Sequence, residues 1–232
     1  MGPFGAFMIS DAPPDGLQVK AAAWQFSDQM FSEDHMYSKL KALAQAEGLT
    51  ETDRALPYMR SCHAGQTREP GLIPYIVHPL TMACQVHAMG IRDDVVLAAA
   101  LLHDVCEDCG VEPDALPFSA PVKAAISLLT KDSKRFREMG RAAALAEYYG
   151  GIKGDRTAML VKCLDRCSNL STMASSFSAK RMTRYITETE EYILPMLEEI
   201  RRRYPDWNDA AFLLKYQMLG LLETQTVLLK RE

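Results

Sequence analysis

The chain has 232 residues, 48% of them hydrophobic and 24% charged, with a formal net charge of −4 and a pI near 5.8. That is enough chain for one large helical domain, or one with a helical appendage, and the charge balance offers no footprint for a nucleic-acid polymer. No run of about 18 apolar residues marks a membrane span, and six cysteines without a secretory signal read as the reduced thiols of a cytoplasmic protein.

In chain order, Met1 to Gly16 is rich in Gly and Pro, has no Lys or Arg ahead of its short apolar stretch, and reads as a flexible leader. Helices are predicted over Leu17–Phe31 and over Met36–Glu47, the second ended by Gly48. Thr50 is a good N-cap for a third helix running to about Ala64. Gly65 to Pro74 holds two Gly and two Pro and is predicted as a loop. Further helices are expected at His78–Met89, Asp94–Asp108, Pro121–Leu129, Phe136–Tyr149, Arg156–Met173, Ala179–Arg203 and Asn208–Lys230. Gly90, Gly110 and Gly150-Gly151 are placed as helix-closing glycines, and Pro195 predicts a kink. Tyr75-Ile76-Val77 is β-prone but too short for a sheet. The fold class is therefore all-α, with a leader over 1–16, one helical domain over 17–205 and a C-terminal helix over 206–232 packed on its side. That last helix carries Leu213, Leu214, Met218, Leu221, Leu222 and Leu228, a broad apolar surface whose first use is domain packing and whose second is a homo-oligomer interface.

Chemistry concentrates where an apolar helix, Ala98-Ala-Ala-Leu-Leu, ends in His103, Asp104, Glu107 and Asp108. At 100° per residue these four groups fall within an arc of roughly 140°. Three carboxylates at the end of a core helix are costly unless a cation compensates, and His with Asp ligands suits manganese, iron or magnesium better than a closed thiolate zinc site. His78, opening a helix after the Gly/Pro loop, and Asp165, a carboxylate on the apolar helix Leu160–Leu170, complete a candidate ligand set of His78, His103, Asp104 and Asp165. Alone, His78 reads as a capping or core histidine and Asp165 as the partner of Lys162 or Arg166; together they make the metal reading the stronger one. Asn169 and Thr172 follow Asp165 on the same helical face. Cys106-x-x-Cys109 and the Cys163/Cys167 pair read as helix-buried thiols, not as a second metal site. His35, His63 and His87 read as structural or surface groups.

These residues stand in blocks that resemble a family. His63-Ala-Gly-Gln-Thr-Arg68, Pro74-Tyr-Ile-Val-His-Pro79, Ala99-Ala-Leu-Leu-His-Asp-Val-Cys-Glu-Asp108, Leu129-Thr-Lys131, Arg156, Lys162-Cys-Leu-Asp-Arg-Cys-Ser-Asn169 and Glu188-Thr189 before Pro195 are similar, in order, to the HD-type hydrolase domain of the RelA/SpoT alarmone enzymes, and in particular to the small stand-alone alarmone hydrolases. The resemblance implies an HD-domain helical bundle and a manganese cofactor on His78, His103, Asp104 and Asp165. It implies Glu107 and Asp108 as the acidic catalytic pair, Arg68 against the base, and Asn169, Thr172 and Lys131 along a nucleotide pocket. The implied reaction removes pyrophosphate from the 3′ position of (p)ppGpp. Nothing after residue 197 is similar to a synthetase domain, so degradation without synthesis is expected. The chain departs from the family at Glu69, where Lys is usual, in one extra residue between Arg68 and Tyr75, and at Ser168, commonly His. These departures bear on which nucleotide is read. The competing readings are an HD phosphohydrolase for an adenine alarmone, a deoxynucleotide or the 2′-phosphate of NADPH, and a nucleotide-sensing module without turnover.

Overall fold

A computed structural model describes residues 32–68 and 73–230. The leader, the helix expected at Leu17–Phe31, and Glu69 with the residues up to 72 lie outside the described residues. The helices are α1 (Glu33–Glu47), α2 (Thr50–Cys62), α3 (Val77–Ala88), α4 (Asp94–Leu102), α5 (Val105–Cys109), α6 (Ala120–Leu129), α7 (Ser133–Met139), α8 (Arg141–Ile152), α9 (Arg156–Thr172), α10 (Ala179–Glu188), α11 (Leu194–Arg203) and α12 (Asn208–Leu229). Among the described residues the sheet is one antiparallel ladder of β1 (Thr67–Arg68) and β2 (Ile73–Pro74), pairing Thr67 with Pro74 and Arg68 with Ile73. It lies inside the stretch expected to be loop and sets the position of Arg68. None of the described helices is long and apolar enough to cross a membrane.

Two helices organise the rest. In α4 every residue from Val96 to Leu102 is at most 1% exposed, because α2, α3, α6 and α9 surround it. Each of its fully buried Leu and Val side chains contributes about 1.5–3 kcal/mol relative to exposure. In α9 burial runs from Thr157 to Cys167, including the three charged residues Lys162, Asp165 and Arg166. It packs on α3, α4, α6, α11 and α12. The C-terminal α12 lays Ala210, Ala211, Leu214, Met218 and Leu222 on α9, α10 and α11, while Leu213 and Leu228 from the same apolar set stay exposed.

Several expected boundaries differ for identifiable reasons. Thr50 is the first residue of α2, not its N-cap. The cap comes from another helix: Asp94 accepts from the backbone N–H of Glu51 at 2.9 Å and of Thr52 at 2.8 Å, while Asp93 caps α4 itself. The helix expected over Phe136–Tyr149 is two, broken at Gly140, whose φ of 77° and ψ of 155° exclude side-chain-bearing residues. Gly150-Gly151 does not close a helix, since α8 runs through both to Ile152 and neither has positive φ. The expected long helix Ala179–Arg203 contains a π turn at Thr189–Ile193, just ahead of Pro195. Proline lacks the N–H that would continue the ladder, and the backbone relieves this with a wider turn. The helix expected over Asp94–Asp108 is interrupted at His103–Asp104, where α4 gives way to the short α5.

Candidate active site

Where α3, α4 and α9 meet, His78, His103 and Asp165 each bring one ligand atom to within 4.8 Å of the others. His78 Nε2 lies 3.4 Å and His103 Nε2 3.9 Å from the same oxygen, Asp165 Oδ1. Asp104 Oδ2 joins them, 2.9 Å from His103 Nε2 and 3.8 Å from His78 Nε2. Both imidazoles are buried, and at neither Nε2 are these carboxylate contacts aligned as a hydrogen bond. The opposite ring nitrogens are held. His103 Nδ1 meets the carbonyl oxygen of Ala100 at 2.9 Å, and His78 Nδ1 meets Ser168 Oγ at 2.9 Å. A carbonyl can only accept, so His103 carries a proton on Nδ1 and can present a lone pair from Nε2. Two imidazole nitrogens facing two carboxylates fit a divalent cation of the manganese, iron, zinc or magnesium kind. Among the described residues no other group of His, Cys, Asp and Glu meets this description, and all six cysteines are free thiols.

Electrostatics at this floor call for positive charge. Burial drives His78 down to about 4, which keeps it neutral. Burial also lowers His103, but Asp104 and Asp165 more than offset it and raise it to about 9. A proton and a cation compete for that Nε2, so cation binding releases a proton. Burial raises Asp165, yet the Lys162 ammonium holds it well below the usual carboxylate range. Lys162 Nζ lies 2.7 Å from Asp165 Oδ2 with both groups buried. Of the two cations open as partners of Asp165, Lys162 is therefore the one. Arg166 turns instead to Tyr149 Oη at 2.7 Å and to Glu188 at 3.6 Å.

A cavity of about 830 Å³ opens over this floor, and Arg68, Asp104, Asp108, Lys131, Asn169 and Thr172 all line it. Arg68 donates to Asn169 Oδ1, and Asn169 Nδ2 donates to Asp165 Oδ1 at 2.5 Å, so Arg68 is linked through Asn169 to the floor. Thr172 spends its hydroxyl on the carbonyls of Ser168 and Asn169 at 3.4 Å. The acidic pair divides. Asp108 faces the cavity, its carboxyl pushed up by burial and by Asp104. Glu107 turns to Lys131, accepting from its backbone N–H at 2.7 Å with Nζ 3.7 Å away.

Sequence reasoning missed Tyr75 as a site residue. Its hydroxyl donates to Asp104 Oδ2, and its ring stacks on His63 at 4.6 Å. His63 Nδ1 in turn meets Gln66 Oε1 at 2.7 Å. The available signal was position: Tyr75 follows directly on the predicted loop, three residues before His78. Arg141 and Arg184 also line the cavity, and nothing in the sequence separates them from ordinary surface arginines.

The family profile described as "HD domain" matches residues 55–192. A guanosine-3′,5′-bis(diphosphate) 3′-pyrophosphohydrolase of Vibrio cholerae is 33% identical over 72% of this chain and 24% of its own length. A GTP pyrophosphokinase of Streptomyces coelicolor is 29% identical over 72% of this chain and 20% of its own length. The chain thus spans about a quarter or less of these relatives. A solved structure of a metazoan SpoT orthologue, described as hydrolysing ppGpp, superposes with a TM-score of 0.59 at 21% identity, covering 75% of this chain and 95% of that one. The profile covers more than half of the sequence, and on that ground the chain belongs to the HD-domain family.

Proposed function

We propose that this protein is a metal-dependent phosphohydrolase that removes the 3′-pyrophosphate of (p)ppGpp and leaves GDP or GTP. The observation that carries the proposal is the pair of buried Nε2 atoms of His78 and His103, neither in an aligned hydrogen bond, converging with Asp165 beneath a cavity whose wall holds Arg68, Lys131, Arg141 and Arg184. The name of the Vibrio relative and the description of the metazoan structure support the substrate. His78, His103, Asp104 and Asp165 would hold the cation, for which we propose manganese. A divalent cation bound there lowers the pKa of coordinated water toward neutrality and draws charge from a phosphoryl oxygen.

The chain's own groups do the rest. Lys162 keeps Asp165 ionised. Tyr75 donates to Asp104 and fixes its carboxylate plane. Asp108, facing the cavity beside them, is the group placed to accept a proton from water or return one to the leaving oxygen. Glu107 completes the acidic pair by fixing Lys131, whose ammonium faces the phosphates along with Arg141 and Arg184. Arg68, braced by Asn169, offers its guanidinium face to the base, and Thr172 closes that side. Six free thiols suit action in a reducing cytoplasm. The deciding experiment incubates the manganese-loaded protein with ppGpp, NADPH, an adenine alarmone and deoxynucleotides, and identifies the products. Pyrophosphate from ppGpp is expected. Turnover confined to the other substrates, or tight binding with no product, would overturn the assignment.

A further inference from the structure

Of the seven large hydrophobic side chains that stand exposed among the described residues, six are on α12. Phe212 is 57% exposed, Tyr216 74%, Leu219 46% and Val227 44%. At about 100° per residue these four share one stripe, opposite the face that Ala211, Leu214, Met218 and Leu222 lay on α9 to α11. The inner face fixes the helix, and the outer face is left as an apolar strip on a rigid support. Isolated exposed hydrophobics need no explanation, but a strip at helical spacing does.

The order of residues along the strip names its occupant. We propose that α12 pairs with α12 of a second copy of this chain, antiparallel, about a two-fold axis passing between Leu219 and Gly220. In that register Phe212 lies opposite Val227, Tyr216 opposite Glu223, and Leu219 opposite Gly220, each pair occurring twice by symmetry. Nothing lies within 4 Å of the position a Cβ on Gly220 would take, so Leu219 of the second copy has a gap to enter. Between Phe212 and Val227, Glu223 is the one charged residue within the stripe, and this register sets it against the Tyr216 hydroxyl, a donor. At the ends, Asp209 of one copy meets Lys230 of the other; both are exposed, and Asp209 accepts from Asn208 Nδ2 at 3.3 Å. A parallel arrangement would put Asp209, Glu223 and Lys230 each against its own charge. Charge complementarity therefore selects the antiparallel pair.

Sedimentation equilibrium of the full chain tests this. Twice the 25.9 kDa chain mass is expected at micromolar concentration. Leu219→Glu should raise the dimer dissociation constant at least about tenfold, with helicity by circular dichroism unchanged. Asp209→Lys should weaken the pair by a smaller factor, and Asp209→Lys with Lys230→Asp should restore it, an outcome specific to this register. A monomer at all concentrations, a dimer indifferent to Leu219→Glu, or a double variant no tighter than Asp209→Lys alone would overturn the proposal. Turnover does not enter this test, so its outcome is separate from that of the proposed reaction.

Discussion

At the floor of the cavity the ionisable groups stand against one another, and all but Asp104 are buried. Lys162 and Asp165 sit 2.7 Å apart with side chains 9% and 7% exposed, and both imidazoles have one nitrogen anchored. Along the wall the cations reach solvent: the Lys131 side chain is 38% exposed and that of Arg141 52%. Charge at the floor is strong, fixed and expensive to disturb, because low dielectric punishes any group left unpaired. Charge at the wall is screened and, apart from Lys131 held by Glu107, shared among several side chains. In the proposed reaction the floor would act on one atom, and the wall would draw in a polyanion.

The largest expected effect comes from breaking the floor. Asp165→Asn removes a candidate ligand and leaves the Lys162 ammonium buried without its carboxylate. Removing one partner of a buried pair costs about 3–5 kcal/mol, and manganese binding should be lost with it. Chemical denaturation and titration calorimetry read the two losses separately. An Asp165→Asn protein of parental stability would mean that Lys162 finds another partner and that the floor is not the rigid unit described.

Next come the two members of the acidic pair. Asp108→Asn should keep the fold and the cation and lower kcat by about 10²–10⁴-fold, the usual range for a lost proton-transfer group. Glu107→Gln should also fold and bind metal while losing turnover, by way of Lys131. If Glu107→Gln turns over at the parental rate, the assignment of the pair is wrong. If Lys131→Ala lowers kcat as far as Glu107→Gln does, and the double variant no further, the two act as one unit.

The two histidines differ within the floor itself. His103 is anchored by a backbone carbonyl that no substitution can remove, His78 by the Ser168 hydroxyl. Ser168→Ala should leave His78 Nδ1 buried without an acceptor and weaken manganese binding about 10–100-fold, the range for lost supports of metal ligands. Ser168→Thr keeps a hydroxyl and should restore most of it. Equal affinity in parent and Ser168→Ala would leave the serine as packing only.

This contrast also marks what the sequence could show. The floor was legible because it violates composition locally: four ionisable groups closing a helix of Ala and Leu, and Asp165 in a run of Leu, Val and Cys, are patterns a local reading detects. Helices whose ends carry their own signals were legible too, as with Gly48 after α1. What could not be read depends on contacts far along the chain. Asp94 caps a helix that starts 44 residues earlier in sequence, at Thr50. Tyr75 reaches Asp104 across 29 residues and Ser168 reaches His78 across 90. The split between Glu107 and Asp108 follows from the interruption of the helix at His103–Asp104, which no propensity in that segment announces. Arg141 and Arg184 were invisible for the opposite reason, since an arginine on an exposed helix face is ordinary until the fold turns it toward a cavity.

The smallest expected effect belongs to the wall. Arg184 is exposed and lines the cavity. Arg184→Ala should shift stability by no more than about 0.5 kcal/mol, as surface substitutions do. It should leave kcat and manganese affinity in place and raise KM for the phosphorylated substrate only a few-fold, since other cations share the task. Ionic strength supplies the sharper test. The Debye length is about 10 Å at 0.1 M salt and about 3 Å at 1 M, so an electrostatic wall loses its reach over that range while the buried floor does not. The KM of the parent should rise with salt, and that of Arg184→Ala should rise less steeply, the two converging at high salt, with manganese affinity nearly flat throughout. Parallel salt dependences for the two proteins would take Arg184 out of substrate capture. A flat KM for the parent would mean that the wall's charge does not draw in the substrate, and the division between floor and wall would fail at the wall.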